Sequence, residues 1–297
     1  MYGWNQMRKI KILIPVYNDW ESLLKLLDEI NKEIQNIEKT EFHCVVINDA
    51  STIKHPEIKV PKNISTLQII NMKKNRGHAR CNAFAIRHLS KVDDFEHLIV
   101  MDGDGEDRPE EIKMLVEKAF SHKGMSVVAK RIKRSEGPLF QMLYQMHKII
   151  TLIFTGKNVN FGNYSCLTKN DVRVLATKES LWSSFSGSVK KHIPKLNTIN
   201  SIRGSRYFGP SKMSLFNLGI HSLSIIAVFK TSVFVRTSIF AIIIFICRQE
   251  IGFLPFATSM ALLFIFSFLI YLISFREDIQ DFLDSGDNMD STKNYTR

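Results

Sequence analysis

The sequence predicts an α/β fold with a mostly parallel sheet, followed by amphipathic helices and a C-terminal transmembrane helical hairpin. Three observations predict it. Short β-rich runs alternate with segments of helical spacing through the front of the chain, their C-terminal ends are polar, and Ile251 to Phe275 is 25 residues without a charge. The 297 residues are 45% apolar and 23% charged, which excludes both a disordered chain and one immersed in lipid throughout. Four scattered cysteines, with no CxxC and no Cys/His ligand spacing, exclude a disulfide framework and a structural zinc site.

Taken in order, the expected elements are a strand at Lys11 to Pro15 and a helix at Trp20 to Ile37, then a strand at Phe42 to Ile47. A strand at Leu67 to Ile70 precedes a helix at His78 to Leu89, a strand at His97 to Met101 precedes a helix at Pro109 to Phe120, and Met125 to Ala129 is a further strand. Pro138 to Phe154 carries Leu139, Met142, Leu143, Met146, Ile149, Ile150 and Ile153 at near-helical spacing, and Leu215 to Phe229 is similar with a wider apolar face. Each can lie in a membrane interface or pack on the domain. Ile251 to Phe275 is about 37 Å long as a helix, and Val233 to Cys247, apolar except for Arg236, about 22 Å. The shorter run spans only if Arg236 snorkels to the headgroups. With Arg248, Gln249 and Glu250 as the turn, the two form a hairpin; the alternative is a buried helical pair. Lys212, Lys230, Arg236 and Arg276 place both its ends in the cytoplasm. No signal peptide is expected, since the first apolar run, Ile12 to Val16, is too short. The organisation read from this is a cytoplasmic domain over 1–212 including an interfacial helix at 138–155, a juxtamembrane amphipathic helix at 213–232, a hairpin at 233–276, and an acidic, mobile tail at 277–297.

The net charge of +11 is regional. Residues 1–120 are close to neutral, whereas residues 121–236 hold 18 basic and 3 acidic groups. Two surfaces with different partners follow. The basic stretch leads into lipid-seeking helices and lacks an aromatic RNA-binding motif, so nucleic acid is not an expected partner.

Parallel sheets bind ligands beyond the carboxyl ends of their strands. Here those ends read Pro15-Val16-Tyr17-Asn18-Asp19, Asn48-Asp49-Ala50-Ser51 and Asp102-Gly103-Asp104-Gly105-Glu106-Asp107. Any one of them also serves as a turn or helix cap. The last is distinctive because Asp102, Asp104, Glu106 and Asp107 crowd like charges together, and a cation relieves that repulsion. All-oxygen ligands favour Mg²⁺ or Mn²⁺ with a phosphate completing the shell. An EF-hand loop would need Gly in place of Asp107 and Glu in place of Lys113; no Walker A sequence is present, and Gly103-x-Gly105 lacks the third glycine of a dinucleotide site.

Together with Ile14 to Asn18, Val46 to Ser51, Asn75-Arg76-Gly77-His78-Ala79-Arg80, Val100 to Glu110, Lys130 to Arg134, Gly162-Asn163-Tyr164-Ser165 and Arg206 to Ser214, these residues resemble the inverting GT-A-fold nucleotide-sugar glycosyltransferases. The likeness is closer to their polyprenyl-phosphate glycosyltransferase branch, which includes dolichyl-phosphate mannose synthase. The resemblance implies a membrane-anchored enzyme that moves a sugar from a UDP- or GDP-sugar to polyprenyl phosphate. It implies a nucleotide-sugar site with Pro15 and Tyr17 against the base, Asp49 on base or ribose, and Asn18, Asn48, Asn75, Gly77, His78 and Asp102 around them. It also implies Asp102 and Asp104 as metal ligands for Mg²⁺ or Mn²⁺, and Asp102, Asp104 and Arg131 as catalytic residues. For His78 a helix-start hydrogen bond and a catalytic role both remain open. Arg131, Arg134, Arg206 and Lys212 are the implied acceptor phosphate ligands, because a lipid phosphate is already anionic and needs cations more than a general base. One departure is Asn48, where the family usually has an acid, so donor choice or activity is expected to differ. The expected partners are the donor, polyprenyl phosphate and membrane lipids, with a homo-oligomer left open. The alternatives are transfer to a lipid-linked or cell-surface glycan and a non-catalytic adaptor on the same fold.

Overall fold

Alternation along the first strand sets up three layers. Ile10, Ile12 and Ile14 are fully buried on one face of the sheet and Leu13 on the other, so both faces need covering. A computed structural model describes residues 7–133, 138–209 and 214–296 and shows that cover. The elements are β1 (Arg8–Val16), α1 (Trp20–Ile34), β2 (Thr40–Asn48), β3 (Ile64–Met72), α2 (His78–Leu89), β4 (His97–Val100), α3 (Ile112–Ser121), β5 (Ser126–Lys133), α4 (Pro138–Thr155), β6 (Phe161–Thr168), α5 (Lys169–Leu175), α6 (Ser180–Ser183), α7 (Phe185–His192) and β7 (Leu196–Ile202). Then come α8 (Leu215–Ala227), α9 (Lys230–Ile246), α10 (Arg248–Ile251), α11 (Phe253–Ser274), α12 (Ile279–Leu283) and β8 (Met289–Thr296).

The eight strands run in the order β7-β5-β6-β4-β1-β2-β3-β8, with β6 and β8 antiparallel to their neighbours. α1 and α3 pack on the face bearing Ile12, and α2, α5, α6 and α7 on the face bearing Leu13. The chain passes from β3 through α2 to β4, on the far side of β1. The strand order therefore reverses between β1 and β4, and their C-terminal ends open a crevice there. The first and third of the acid-bearing loops, after β1 and β4, flank that crevice.

α4, α8, α9 and α11 pack together at one end. Phe154 of α4 meets Phe240 and Phe266 at ring centroid distances of 5.7 and 4.4 Å. Outward they present unburied Met146, Ile149, Leu152, Ile242, Phe264 and Phe268. Among the described residues, the helical run from Phe253 is the one stretch long and apolar enough to cross a membrane by itself. α9 meets that test only jointly with α8, to which it is bent by 87°. The expected second span is thus half of a broken pair. The Arg236 guanidinium finds its partner within the protein: it donates to the Ile153 carbonyl (3.0 Å) and packs on Gly156, capping the C-terminal end of α4. At the base, Lys230 at the start of α9 pairs with buried Glu277 just past α11 (3.0 Å).

The acidic tail corrects the expectation of mobility. It returns to the domain that carries the sheet, buries Phe282 against Trp182 (5.8 Å between centroids) and adds β8 to the edge of the sheet beside β3. Its composition is polar because an edge strand needs backbone partners more than apolar side chains.

Candidate active site

The loop after β4 is shaped by glycines. A Cβ on Gly103 would stand 2.9 Å from the Pro15 carbonyl oxygen, so the loop lies directly against the end of β1. Gly105 has φ +89°, and a Cβ there would meet the Tyr207 ring at 2.6 Å. These two contacts aim the loop's carboxylates into the crevice. The Asp107 carboxylate turns inward and accepts the Asp102 N–H (2.9 Å), and the Asp104 carboxylate accepts the Glu106 N–H (3.0 Å).

Asp102 faces His78 Nε2 (3.1 Å) and accepts from Asn163 Nδ2 (3.0 Å), while Asn82 and Asn163 also reach the His78 ring, at 3.1 and 2.7 Å. Burial works to lower the imidazole of His78, but the neighbouring Asp102, Asp104 and Asp107 outweigh it and raise it above its usual value. Burial likewise works to raise Asp102, yet His78, Asn163 and Arg203 hold it well below the carboxylate range. Asp104 is raised by burial and by Asp102, and Asp107 is pushed up to about 7 by the same two causes. One acid is therefore held ionised beside others that resist ionisation.

Across the crevice, residues 203–207 fold back over the loop. The Gly204 N–H donates to the Glu106 carbonyl (2.8 Å) and the Tyr207 N–H to the Asp104 carbonyl (2.9 Å). Arg203 pairs with Glu106, and the Tyr207 hydroxyl donates to Glu29 of α1. Arg206 bridges Asp104 (2.5 Å) and Asp19 (2.8 Å). Arg131 stands over Gly162 with its guanidinium 3.8 Å from Asp107.

The remaining sequence-derived positions fall into two groups. Tyr17 is exposed at the rim, and Pro15 lies under Gly103. Asn18, Asn48 and Asp49 turn out to support the walls. Asn18 (φ +50°) accepts from the Thr52 and Ile53 N–H groups (2.8 and 3.0 Å), tying the loop after β1 to the loop after β2. Asn48 donates to Asn71 (2.9 Å) and accepts the Ser51 N–H (3.0 Å). The Asp49 carboxylate is buried and accepts the Arg76 and Gly77 N–H groups (3.0 and 2.9 Å), which shapes the turn containing Asn75 and Gly77. Burial raises Asp49 against the pull of those bonds. Arg134 and Lys212 lie outside the described residues.

Asp19, Asn163, Arg203 and Tyr207 carried no expected role, although Asp19, Asn163 and Tyr207 sit inside the Pro15 to Asp19, Gly162 to Ser165 and Arg206 to Ser214 motifs. Its side-chain contact to both His78 and Asp102 depends on β6 pairing antiparallel with β4, with Val100 opposite Ser165. No spacing rule gives that register.

Among the described residues, no three His, Cys, Asp or Glu side chains converge as a complete metal cage. Asp102 and Asp104 supply hard oxygen ligands of the kind Mg²⁺ or Mn²⁺ prefers, and such a cation would need further oxygens from a bound phosphate. The pair fits that partial role, on condition that Arg206 releases Asp104.

Residues 11–183 match the model of glycosyl transferase family 2. The undecaprenyl-phosphate 4-deoxy-4-formamido-L-arabinose transferase of Proteus mirabilis is 26% identical over 171 residues, 57% of this chain and 50% of that one. The transferase of the same description from Photorhabdus laumondii is 28% identical over 173 residues, with 56% and 50% covered. The chain spans about half the length of the curated relatives it matches. The crystal structure of glucosyl-3-phosphoglycerate synthase from Mycobacterium tuberculosis with Mn²⁺, uridine-diphosphate-glucose and phosphoglyceric acid superposes with a TM-score of 0.52, at 15% identity, over 76% of this chain and 80% of that one. At that identity the likeness is one of fold. The family match covers more than half of the chain and includes both acid-bearing loops of the crevice: the chain belongs to glycosyl transferase family 2 and is an enzyme of the glycosyltransferase class.

Proposed function

We propose that this enzyme transfers a sugar, with inversion, from a nucleoside-diphosphate sugar to a polyprenyl phosphate at the membrane surface. The observation that carries the reading is the crevice itself: Asp102 and Asp104 on one wall oppose Arg206 and Arg131, and His221 of the apolar helix α8 lies within electrostatic reach of His78, Arg131 and Asp102. The substrate those relatives are named for, undecaprenyl phosphate, is a phosphate on a long apolar tail, which matches a cationic cleft beside apolar helices.

In this reading Tyr17 and the turn of Asn75 to His78 border the donor, with Asp49 holding that turn from behind. Asp102 and Asp104 would hold Mg²⁺ or Mn²⁺, which would supply positive charge against the charge that develops on the leaving diphosphate. Asn163 and His78 fix the Asp102 carboxylate by hydrogen bonding. Arg131 and, once detached from Asp104, Arg206 orient the acceptor phosphate by planar, paired donation. An acceptor phosphate oxygen forms the new bond to the anomeric carbon as the bond to the nucleoside diphosphate breaks. The acceptor oxygen is already anionic, so no general base is required. The basic middle of the chain holds only Glu136, Asp171 and Glu179 as acids, and Asp171 is buried inside α5 with its carboxylate accepting the Ser126 hydroxyl.

For the membrane part, the reading is a hairpin with both ends on the catalytic side and that side in the cytoplasm. The Lys230–Glu277 pair and the return of the tail to the sheet support it, because both ends of the apolar segment are attached to the same domain.

The test is a panel of UDP- and GDP-sugars with a short-chain polyprenyl phosphate, with and without Mg²⁺ or Mn²⁺, read by mass of the lipid product. A polyprenyl-phosphate-linked sugar from one donor, dependent on the cation, is expected. Turnover only onto a glycan acceptor overturns the assignment.

A further inference from the structure

We infer that Asp281, the acid that follows the apolar helices, is a positioning residue for the donor site: it acts through Arg76 to hold the turn that delivers His78 to Asp102. The inference rests on the donor reading given above and deepens it.

The turn between β3 and α2 has little of its own to hold it. Gly77 sits at φ +88°, and α2 begins without a side-chain cap. From inside the sheet Asp49 takes the Arg76 and Gly77 N–H groups. From outside, the tail grips the same few residues at three places. Both oxygens of Asp281 accept from Arg76 NH1 (3.0 and 3.1 Å), and Trp182 Nε1 donates to the same carboxylate (3.2 Å). Asn288 brackets Lys74, accepting its N–H (3.0 Å) and donating to its carbonyl (2.9 Å), while the Asn288 carbonyl accepts the Lys73 N–H (2.7 Å). The Lys73 ammonium donates to the Asp287 carbonyl (2.8 Å).

Arg76 is thus pinned at its backbone by Asp49 and at its guanidinium by Asp281, and His78, two residues on, reaches Asp102 at 3.1 Å. Asp281 is held in turn: its N–H donates to Asp278 (2.9 Å), the N-cap of α12, and Glu277 beside it closes the base of the helix pair through Lys230. The seating of the apolar helices is therefore mechanically continuous with the wall of the donor crevice. A polar tail whose only task was to cover a sheet edge would need β8 and not the Asp281 contacts.

The experiment uses the full chain in lipid nanodiscs and measures binding of UDP and of GDP, each with Mn²⁺, by calorimetry. Arg76→Gln and Asp281→Asn are each expected to weaken whichever nucleotide the unaltered protein takes about fivefold, the scale of a partly exposed paired contact. The double variant is expected to be no weaker than either single one, and Asp281→Glu to recover most of the affinity. In turnover, KM for the donor should rise while KM for the lipid acceptor holds. Arg76→Gln leaves the Trp182 contact in place, so it reports even if Asp281→Asn folds poorly. Wild-type affinity in Arg76→Gln, or additive losses in the double variant, overturns the inference. Failure of the unaltered protein to bind either nucleotide overturns the donor reading instead.

Discussion

The Arg206 guanidinium lies between Asp104 and Asp19, 2.5 Å from the first and 2.8 Å from the second, so the carboxylate best placed for a cation already has one. The arginine belongs to a segment anchored by Tyr207 on Gly105 and Glu29 and by Arg203 on Glu106. On the metal assignment proposed above, a divalent ion at Asp104 would compete with Arg206 for its carboxylate, and a released Arg206 would be free for an incoming phosphate. Arg206→Gln should therefore bind Mn²⁺ alone roughly tenfold more tightly, the value of a partly buried charge contact, and yet turn over at least tenfold more slowly. Electron paramagnetic titration of free Mn²⁺ and product formation measure the two arms. Weaker Mn²⁺ binding in the variant would mean that Arg206 does not compete.

Asp104→Asn keeps the hydrogen bond from the Glu106 N–H and removes the charge. Product formation should fall by about two orders of magnitude or more, consistent with loss of a metal ligand, with little change in Tm because the residue is already destabilised by burial and by Asp102. Unchanged turnover would remove Asp104 from the metal site.

The fold of the front half was legible because each strand end carried its own punctuation. The structure has its first five strands and three helices where alternation and turn residues put them, within a few residues. The Asp102 to Asp107 cluster was legible because four acids in six residues have few uses. What the sequence did not disclose is what pairs with what. Asp49 reads as a ligand contact, but its partners are the N–H groups of Arg76 and Gly77, 27 and 28 residues away. The tail reads as mobile because strand pairing is a backbone property, and six acids say nothing of the β3 edge that receives them. Arg236 reads as a cost to a membrane helix; its partner, the open carbonyl at the end of α4, becomes visible only when the helices are packed.

Asn48, where the family resemblance leads one to expect an acid, is committed on both sides of its amide. It donates to Asn71, and Asn71 donates to Ser291 of β8 (3.1 Å). Asn48→Asp sets two acceptor oxygens against each other unless Asn71 turns over and gives up Ser291. The expected cost is about 1–3 kcal/mol, with faster amide exchange in β8. Exchange mass spectrometry showing β8 unaltered would mean that Asn48 carries no link to the tail.

Arg236→Leu lengthens the apolar run of α9 and so would strengthen insertion if length were the controlling quantity. The structure assigns it the opposite effect, since the Ile153 carbonyl loses its donor and Gly156, at φ +70°, loses the group packed on it. A loss of about 1–2 kcal/mol is expected, seen as freer proteolysis at the end of α4 in detergent. Arg236→Lys should recover part of it. Equal protease resistance in Arg236→Leu and the unaltered chain would show that the cap is not needed.

His97 begins β4, and its Nδ1 is buried without a hydrogen-bond partner among the described residues. The ring meets the edge of Phe120 at 5.6 Å, and Arg8 packs over the same Phe120 ring at 4.0 Å. Burial, and then the Arg8 charge, lower the imidazole from 6.5 to about 4. Because the folded-state value is depressed, the unfolded chain takes up the proton first. The stability from keeping His97 neutral is whole above pH 6.5 and is lost as pH falls from 6.5 toward 4, a loss on the order of 3 kcal/mol. His97→Phe removes that titration while keeping an aromatic edge against Phe120. Its Tm should fall less steeply than that of the unaltered protein between pH 7 and pH 4.5, by a few degrees. Parallel Tm curves across that range would show that His97 is already solvated in the folded state.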